Sequence, residues 1–158
     1  MAAIVSFIFF LALCIGAASS GAMFQPGEWY QGLQKPGWTP PNWAFPLVWA
    51  ALFLMIAISG WLIWQKAGWS AAPVLGLYVV HLIVNAAWSF LFFGQRRLDW
   101  AMGDVILLWA MIAAMIFLFS QISVIAALLL VPYLIWVTIA ASLNFRLLQL
   151  NGRHGGWH

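Results

Sequence analysis

The chain has 158 residues, 66% of them hydrophobic and only 6% charged, whereas a soluble domain carries about 25% charged residues; this composition excludes a water-solvated globular fold. Its six Lys and Arg outnumber three Asp and Glu for a net charge of +3, but the basic residues sit at the ends of apolar stretches, where they act as orientation signals and not as a nucleic-acid surface. The single cysteine leaves no intramolecular disulfide or multi-cysteine metal site, and Cys14, inside an apolar stretch, reads as a small buried hydrophobe.

A helix crossing the hydrocarbon core needs about 20 apolar residues. The first such stretch runs from about Ala3 to Phe24. Its small residues Ala17 to Ala22 resemble a signal-peptide cleavage region, but the basic segment that a signal requires is missing, so a retained span is predicted. Gly16-Ala17-Ala18-Ser19-Ser20-Gly21 permits close helix contact, within the chain or between two copies.

Residues 25–43 are dense in proline, glycine and aromatics and cannot form a span. Tyr30, Trp38 and their neighbours, held between prolines of fixed φ, predict a semi-rigid cap over the bundle. Two spans follow, about 44–64 and 72–93, separated by Lys66 and Gly68. From Val105 to Leu143 the chain is almost continuously apolar, a length of about 58 Å as one helix, roughly twice the hydrocarbon thickness. Ser120-Gln121-Ile122-Ser123 is its polar interruption, so the chain turns there, with helices about 100–119 and 124–148. Pro132 then predicts a kink between Leu128 and itself. The expected fold is all-α: one transmembrane domain, residues 1–158, of five helices with the first loop capping the cytoplasmic side.

Placing the N-terminus outside puts Lys35, Arg96, Arg97, Arg146 and Arg153 on the cytoplasmic side and Lys66 alone outside, with the C-terminus inside, as the positive-inside rule requires. In that frame Trp49 lies roughly 8 Å, Asn85 roughly 12 Å and Ser89 roughly 6 Å inside the cytoplasmic boundary. Asn144 and Ala140 fall in the same half, with Trp136 near the midplane. His81, Asn85 and Ser89 recur every four residues and share one helix face, which turns inward because polar groups avoid lipid. Helix-to-helix hydrogen bonding and ligand contact suit Asn85 equally, helix-to-helix hydrogen bonding suits Ser89 better than ligand contact, and a buried, hydrogen-bonded histidine is favoured for His81 over an axial haem ligand, since no second ligand or haem motif accompanies it. Trp49 and Trp136 serve either as core or as walls for a planar π system. Asp104 is placed in the first turn of helix four, at the positive end of its dipole. The carboxylates Glu28, Asp99 and Asp104 form no acid/base constellation.

Trp29-Tyr30, Leu33, Lys35-Pro36, Trp38-Thr39-Pro40-Pro41 and Trp49 resemble the first-loop signature of the TspO/MBR family, the tryptophan-rich sensory proteins of bacteria and the mitochondrial translocator protein. The resemblance continues through Asn85-Ala86-Ala87-Trp88-Ser89 and Phe92-Phe93, then Val131-Pro132-Tyr133-Leu134-Ile135-Trp136 and Leu143-Asn144-Phe145. It implies a five-helix bundle, commonly a homodimer in a bacterial inner membrane, that binds porphyrin or haem as ligand and isoquinoline or benzodiazepine-type molecules, with no required cofactor or metal. Tyr30, Trp49, Asn85 and Trp136 match cavity positions of the family, and Trp38 its loop tryptophan; Ser89 and Ala140 join them by depth, and Lys35 as counter-ion for a propionate. Phe145 replaces the tyrosine of the pattern associated with cholesterol, so cholesterol is not inferred. The expected function is a receptor for tetrapyrroles. A porphyrin-degrading enzyme using Trp49 and Trp136, and a porphyrin or lipid transporter, are the alternatives.

Overall fold

The computed structural model describes residues 2–23 and 27–152. Phe24, assigned above to the first helix, Gln25 and Pro26 of the loop, and Arg153 of the basic side lie outside the described residues. Every regular element within them is helical: α1 (Ala2–Met23), α2 (Glu28–Gln31), α3 (Ala44–Ala67), α4 (Ala72–Ser89), α5 (Leu98–Ser120), α6 (Val124–Leu129) and α7 (Val131–Asn151). A 3-10 turn, Gly68–Ala71, joins α3 to α4, and a wide π-type turn, Phe90–Gly94, continues α4 toward α5.

Four helical stretches are long and apolar enough to cross a membrane: Ala2–Met23, Ala44–Gly94, Leu98–Ser120 and Val124–Asn151. Their length and composition make the chain an integral membrane protein. The second stretch has 51 residues, about 76 Å if straight, well over twice the hydrocarbon thickness. It folds back at Gly68, whose φ of 55° glycine adopts without a Cβ clash. Beyond that turn Tyr78 returns to α3, where its Oη donates to the Ile56 carbonyl at 2.9 Å. A Cβ on Gly60 would stand 2.7 Å from Tyr78 Cζ, so the missing side chain is the notch that admits the ring. α3 and α4 therefore lie side by side and antiparallel.

The single helix expected over 124–148 is two, α6 and α7, separated at Leu130. Pro132 has no N–H for the Leu128 carbonyl, which ends the α6 ladder there. Ser123 caps α6 by accepting the Ala126 N–H at 3.2 Å. The reversal at Ser120 to Ser123 closes with the Ser123 N–H on the Phe119 carbonyl at 2.7 Å. α5 starts at Leu98, so Asp104 falls in its second turn and not its first. The first-turn acid is Asp99, which accepts two hydrogen bonds from Arg97 at 2.9 and 2.7 Å, while the Arg97 guanidinium lies 4.1 Å over the Trp100 ring.

Lipid offers no hydrogen-bond partners, so polar side chains tie the helices to one another. Ser59 Oγ donates to the Ala126 carbonyl at 2.8 Å, linking α3 to α6. Trp88 Nε1 donates to Asn144 Oδ1 at 3.1 Å, and Asn144 Nδ2 to the Leu98 carbonyl at 2.9 Å, linking α4, α7 and α5. α1 changes neighbour along its length. Near its start the Trp61 indole of α3 donates to the Ala3 carbonyl at 3.0 Å; near its end Ser20 Oγ donates to the Ala86 carbonyl of α4 at 2.6 Å.

Gly60→Ala is expected to force the Tyr78 ring off Ile56 and to destabilise the bundle by about 1–3 kcal/mol, as overpacking of a filled core does. Thermal unfolding in detergent checks this, and an unchanged midpoint would contradict the close approach.

Candidate functional site

Because α1 leaves α3 for α4, the two helices diverge toward the first-loop end, and a cavity of about 630 Å³ opens between them. Phe45, Trp49 and Phe53 of α3 form its aromatic wall, at four-residue spacing on one helix face. Asn85, Trp88 and Ser89 of α4 face them, and Val137 and Ala140 of α7 close the back. On the α1 side the lining is Cys14, Ala17, Ala18 and Gly21, small groups that leave the width open. Ile15, Ala50 and Leu54 also border the cavity yet face outward, Ile15 at 61% exposure. The cavity thus has a side opening between α1 and α3, toward the lipid.

Of the residues expected at a ligand site, Trp49, Asn85, Ser89 and Ala140 come together on this cavity, whereas Tyr30, Lys35, Trp38 and Trp136 do not line it. Trp136 stands one layer behind, its ring edge-on to Trp49 at 6.5 Å and to Phe45 at 5.6 Å, with Nε1 buried and unpartnered among the described residues. It supports the aromatic wall from outside.

Tyr30 is buried under the end of α4, 5.6 Å from the Phe93 ring and 6.1 Å from Phe92. Lys35 is turned onto its own loop: its Nζ lies 4.7 Å over the Tyr30 ring and donates to the Gln31 and Leu33 carbonyls at 3.1 and 3.3 Å. Partial burial lowers the Lys35 ammonium. Gln34 and Asn151 exchange two hydrogen bonds of 2.9 and 2.8 Å, which pin the loop to the end of α7. Trp38 is half exposed in the following turn. From the last part of the loop, Asn42 reaches the cavity.

Below the cavity lies a buried polar cluster. Asn85 Nδ2 donates to Tyr133 Oη; His81 is fully buried, with Nδ1 on the Tyr78 carbonyl; and Cys14 Sγ lies 3.4 Å from Tyr78 Oη. Among the described residues no three His, Cys, Asp or Glu gather as metal ligands, and Asp104 lies off the cavity lining with Oδ2 buried and unpartnered. The sequence reading missed Phe45, Phe53, Trp88 and Phe93. The four-residue spacing of Phe45, Trp49 and Phe53 was the available signal, since it matches the spacing that placed His81, Asn85 and Ser89 on one face.

A profile described as the TspO/MBR family matches residues 7–150. The "Tryptophan-rich sensory protein" of Cereibacter sphaeroides is 40% identical over 92% of this chain and 90% of its own length. "Protein CrtK" of Rhodobacter capsulatus is 41% identical over 91% of each. The "Translocator protein" of Sus scrofa is 42% identical over 82% of this chain and 79% of its own.

Burial pushes the Tyr30 hydroxyl from 10.0 up to about 12, and its Oη has no hydrogen-bond partner among the described residues. The folded protein therefore keeps this proton where the unfolded chain loses it, so the contribution is intact below pH 10 and declines as pH rises toward about 12. Tyr30→Phe is expected to match the wild type within about 1 kcal/mol at neutral pH and to lack that part of the alkaline loss, as read by unfolding midpoints across pH.

Proposed function

This chain belongs to the TspO/MBR family, and we propose that it is a membrane receptor with a sensory or regulatory role, crossing the bilayer five times and binding protoporphyrin, haem or a similarly flat, largely apolar molecule. The observation that carries this reading is the cavity of about 630 Å³ walled by Phe45, Trp49, Phe53 and Trp88. Its volume is that of a small-molecule site, mostly apolar with a few convergent polar groups, and indole and phenyl rings favour offset or edge contacts with another π system. The names of the relatives, sensory and translocator proteins, agree with a receptor.

The five crossings are α1, α3, α4, α5 and the α6–α7 pair, with α3 and α4 as separate limbs of the stretch that folds back at Gly68. Lys35, Arg96, Arg97 and Arg146 then share the first-loop end and Lys66 the other, so the loop end faces the cytoplasm. The side opening between α1 and α3 suits a ligand that arrives dissolved in the bilayer. Lys35 meets a propionate only by leaving the Tyr30 ring and its two carbonyls.

A second reading has one observation of its own, the contact between Trp49 and Trp136. An indole in the cavity wall backed by another is placed to give an electron to a photoexcited porphyrin, whose reduced ring would then be consumed by dioxygen as the oxidant, making the protein an enzyme that consumes its ligand. Replacing both with Phe separates the two readings: binding persists in either case, but light-dependent porphyrin loss stops only if the indoles carry it.

Titration of the nanodisc-held protein with protoporphyrin in the dark, followed by tryptophan quenching, is expected to saturate. Trp49→Ala, which removes a wall ring, should weaken binding about three- to tenfold, and Trp136→Ala, which removes only its support, should weaken it less. Nonsaturating quenching that is the same in every variant would mean partition into lipid and would remove the tetrapyrrole assignment.

A further inference from the structure

Of the carboxylates Glu28, Asp99 and Asp104, the last is set deepest in a span. α5 begins at Leu98, and Asp104 follows about 9 Å further along the helix. That is one turn inside Trp100, whose half-exposed ring suits the interfacial belt. Asp104 is only partly exposed, and its Oδ2 is buried with no hydrogen-bond partner among the described residues. A carboxylate in hydrocarbon must either meet a cation or give up its charge by keeping a proton.

No cation among the described residues answers it. Arg97 makes its ion pair with Asp99 at 2.7 Å, Arg146 donates to Gln149 Oε1 at 2.7 Å, and Arg96 is exposed just beyond the π-type turn. Lys35 lies on the first loop and Lys66 at the opposite end of α3. α5 packs against α4, α6, α7 and the Phe90–Gly94 turn. The titratable groups on these elements are Tyr78 and His81 of α4 and Tyr133 and Arg146 of α7; α6 and the turn carry none. Tyr78 is bonded to the Ile56 carbonyl, His81 to the Tyr78 carbonyl and Tyr133 to Asn85, and none of them reaches Asp104 Oδ2.

We infer that Asp104 is a proton-binding site of the span, a neutral carboxylic acid at neutral pH, and that its proton and the cavity's ligand favour each other's binding. The linkage runs through α5. Val105 and Leu108, one and four residues beyond Asp104, line the cavity together with Trp88 of α4. When the proton leaves to solvent at alkaline pH, a bare charge remains in hydrocarbon. The turn that carries it must then shift toward water, and Val105 and Leu108 shift with it. A ligand fitted against these two side chains therefore favours the protonated form, and by reciprocity the proton favours the ligand. Asp104 is a positioning residue here, since it lies off the cavity lining. The linkage rests on the ligand-cavity reading above; the proton site does not.

Infrared spectroscopy tests the site without any ligand, on protein in a maltoside detergent, which has no carbonyl of its own. Aspartate carrying a heavy carbon isotope in its side-chain carboxyl marks the bands of Asp99 and Asp104 alone. At neutral pH the isotope difference should contain the C=O stretch of a protonated carboxyl, which Asp104→Asn lacks and which alkaline pH converts to carboxylate bands. Its absence from labelled wild type at neutral pH would overturn the proton site, whether or not the variant folds. Pyrene, flat and without a titratable group, then reads the linkage by tryptophan quenching in nanodiscs. Between neutral pH and about pH 9, wild-type affinity should fall about fivefold while Asp104→Asn keeps its neutral-pH affinity. Asp104→Ser, small and uncharged, takes its place if Asp104→Asn does not fold. Coincident pH profiles for wild type and variant would overturn the linkage. Absence of saturable pyrene binding in both at neutral pH would overturn the cavity reading and the linkage with it, while the proton site would still stand or fall on the infrared band.

Discussion

The structure depends on the seating of Tyr78 in the notch at Gly60. The ring enters α3 where no side chain stands, places its hydroxyl on the Ile56 carbonyl, and meets Phe10 of α1 edge-on at 5.7 Å and Phe119 of α5 at 6.4 Å. One side chain thus sets the spacing of four helices on the Gly68 side of the bundle. Close approach of this kind replaces the hydrophobic driving force that lipid cannot supply between helices.

The cavity follows from what happens on the loop side of that contact. α1 is held to α3 at its start by the Trp61 indole and to α4 near its end by Ser20, so it crosses from one to the other and opens a gap over small residues. Membrane-protein interiors otherwise pack closely. This volume persists because its other walls are tied outside it, through Trp88 to Asn144 and Leu98 and through Ser59 to Ala126. Trp88 has both roles, its ring on the cavity and its N–H in the tie.

The first loop is anchored more than it is inserted. Tyr30 packs under the end of α4, Lys35 covers Tyr30, and Gln34 is clasped by Asn151. Of the family-matched aromatics of this loop, Trp29 and Tyr30 pack on the end of the bundle, Trp38 stays half exposed, and contact with the cavity is left to Asn42. A basic side chain already committed to carbonyls and a ring face is a latch on the loop before it is a counter-ion.

By itself the sequence determined the solvent of this protein and the positions of its helices, because 66% hydrophobic residues and runs near membrane length allow few other arrangements. The reversal at Ser120 to Ser123 and a kink near Pro132 were legible for the same local reason, since a capping hydroxyl and a missing N–H act within one turn of helix; the division of that segment into two helices was not. The inward face of His81, Asn85 and Ser89 was also legible, since periodicity is a property of one helix. Which aromatics form the wall was not. Trp49 lines the cavity and Trp136 stands behind it, a difference of helix rotation that no single helix encodes. Tyr30 and Lys35 turned to each other because the loop is pinned through a pair 117 positions apart, Gln34 and Asn151. The tertiary structure alone decided these placements, because contacts between helices depend on how side chains and notches from distant segments fit together, and that fit exists only once the helices have packed.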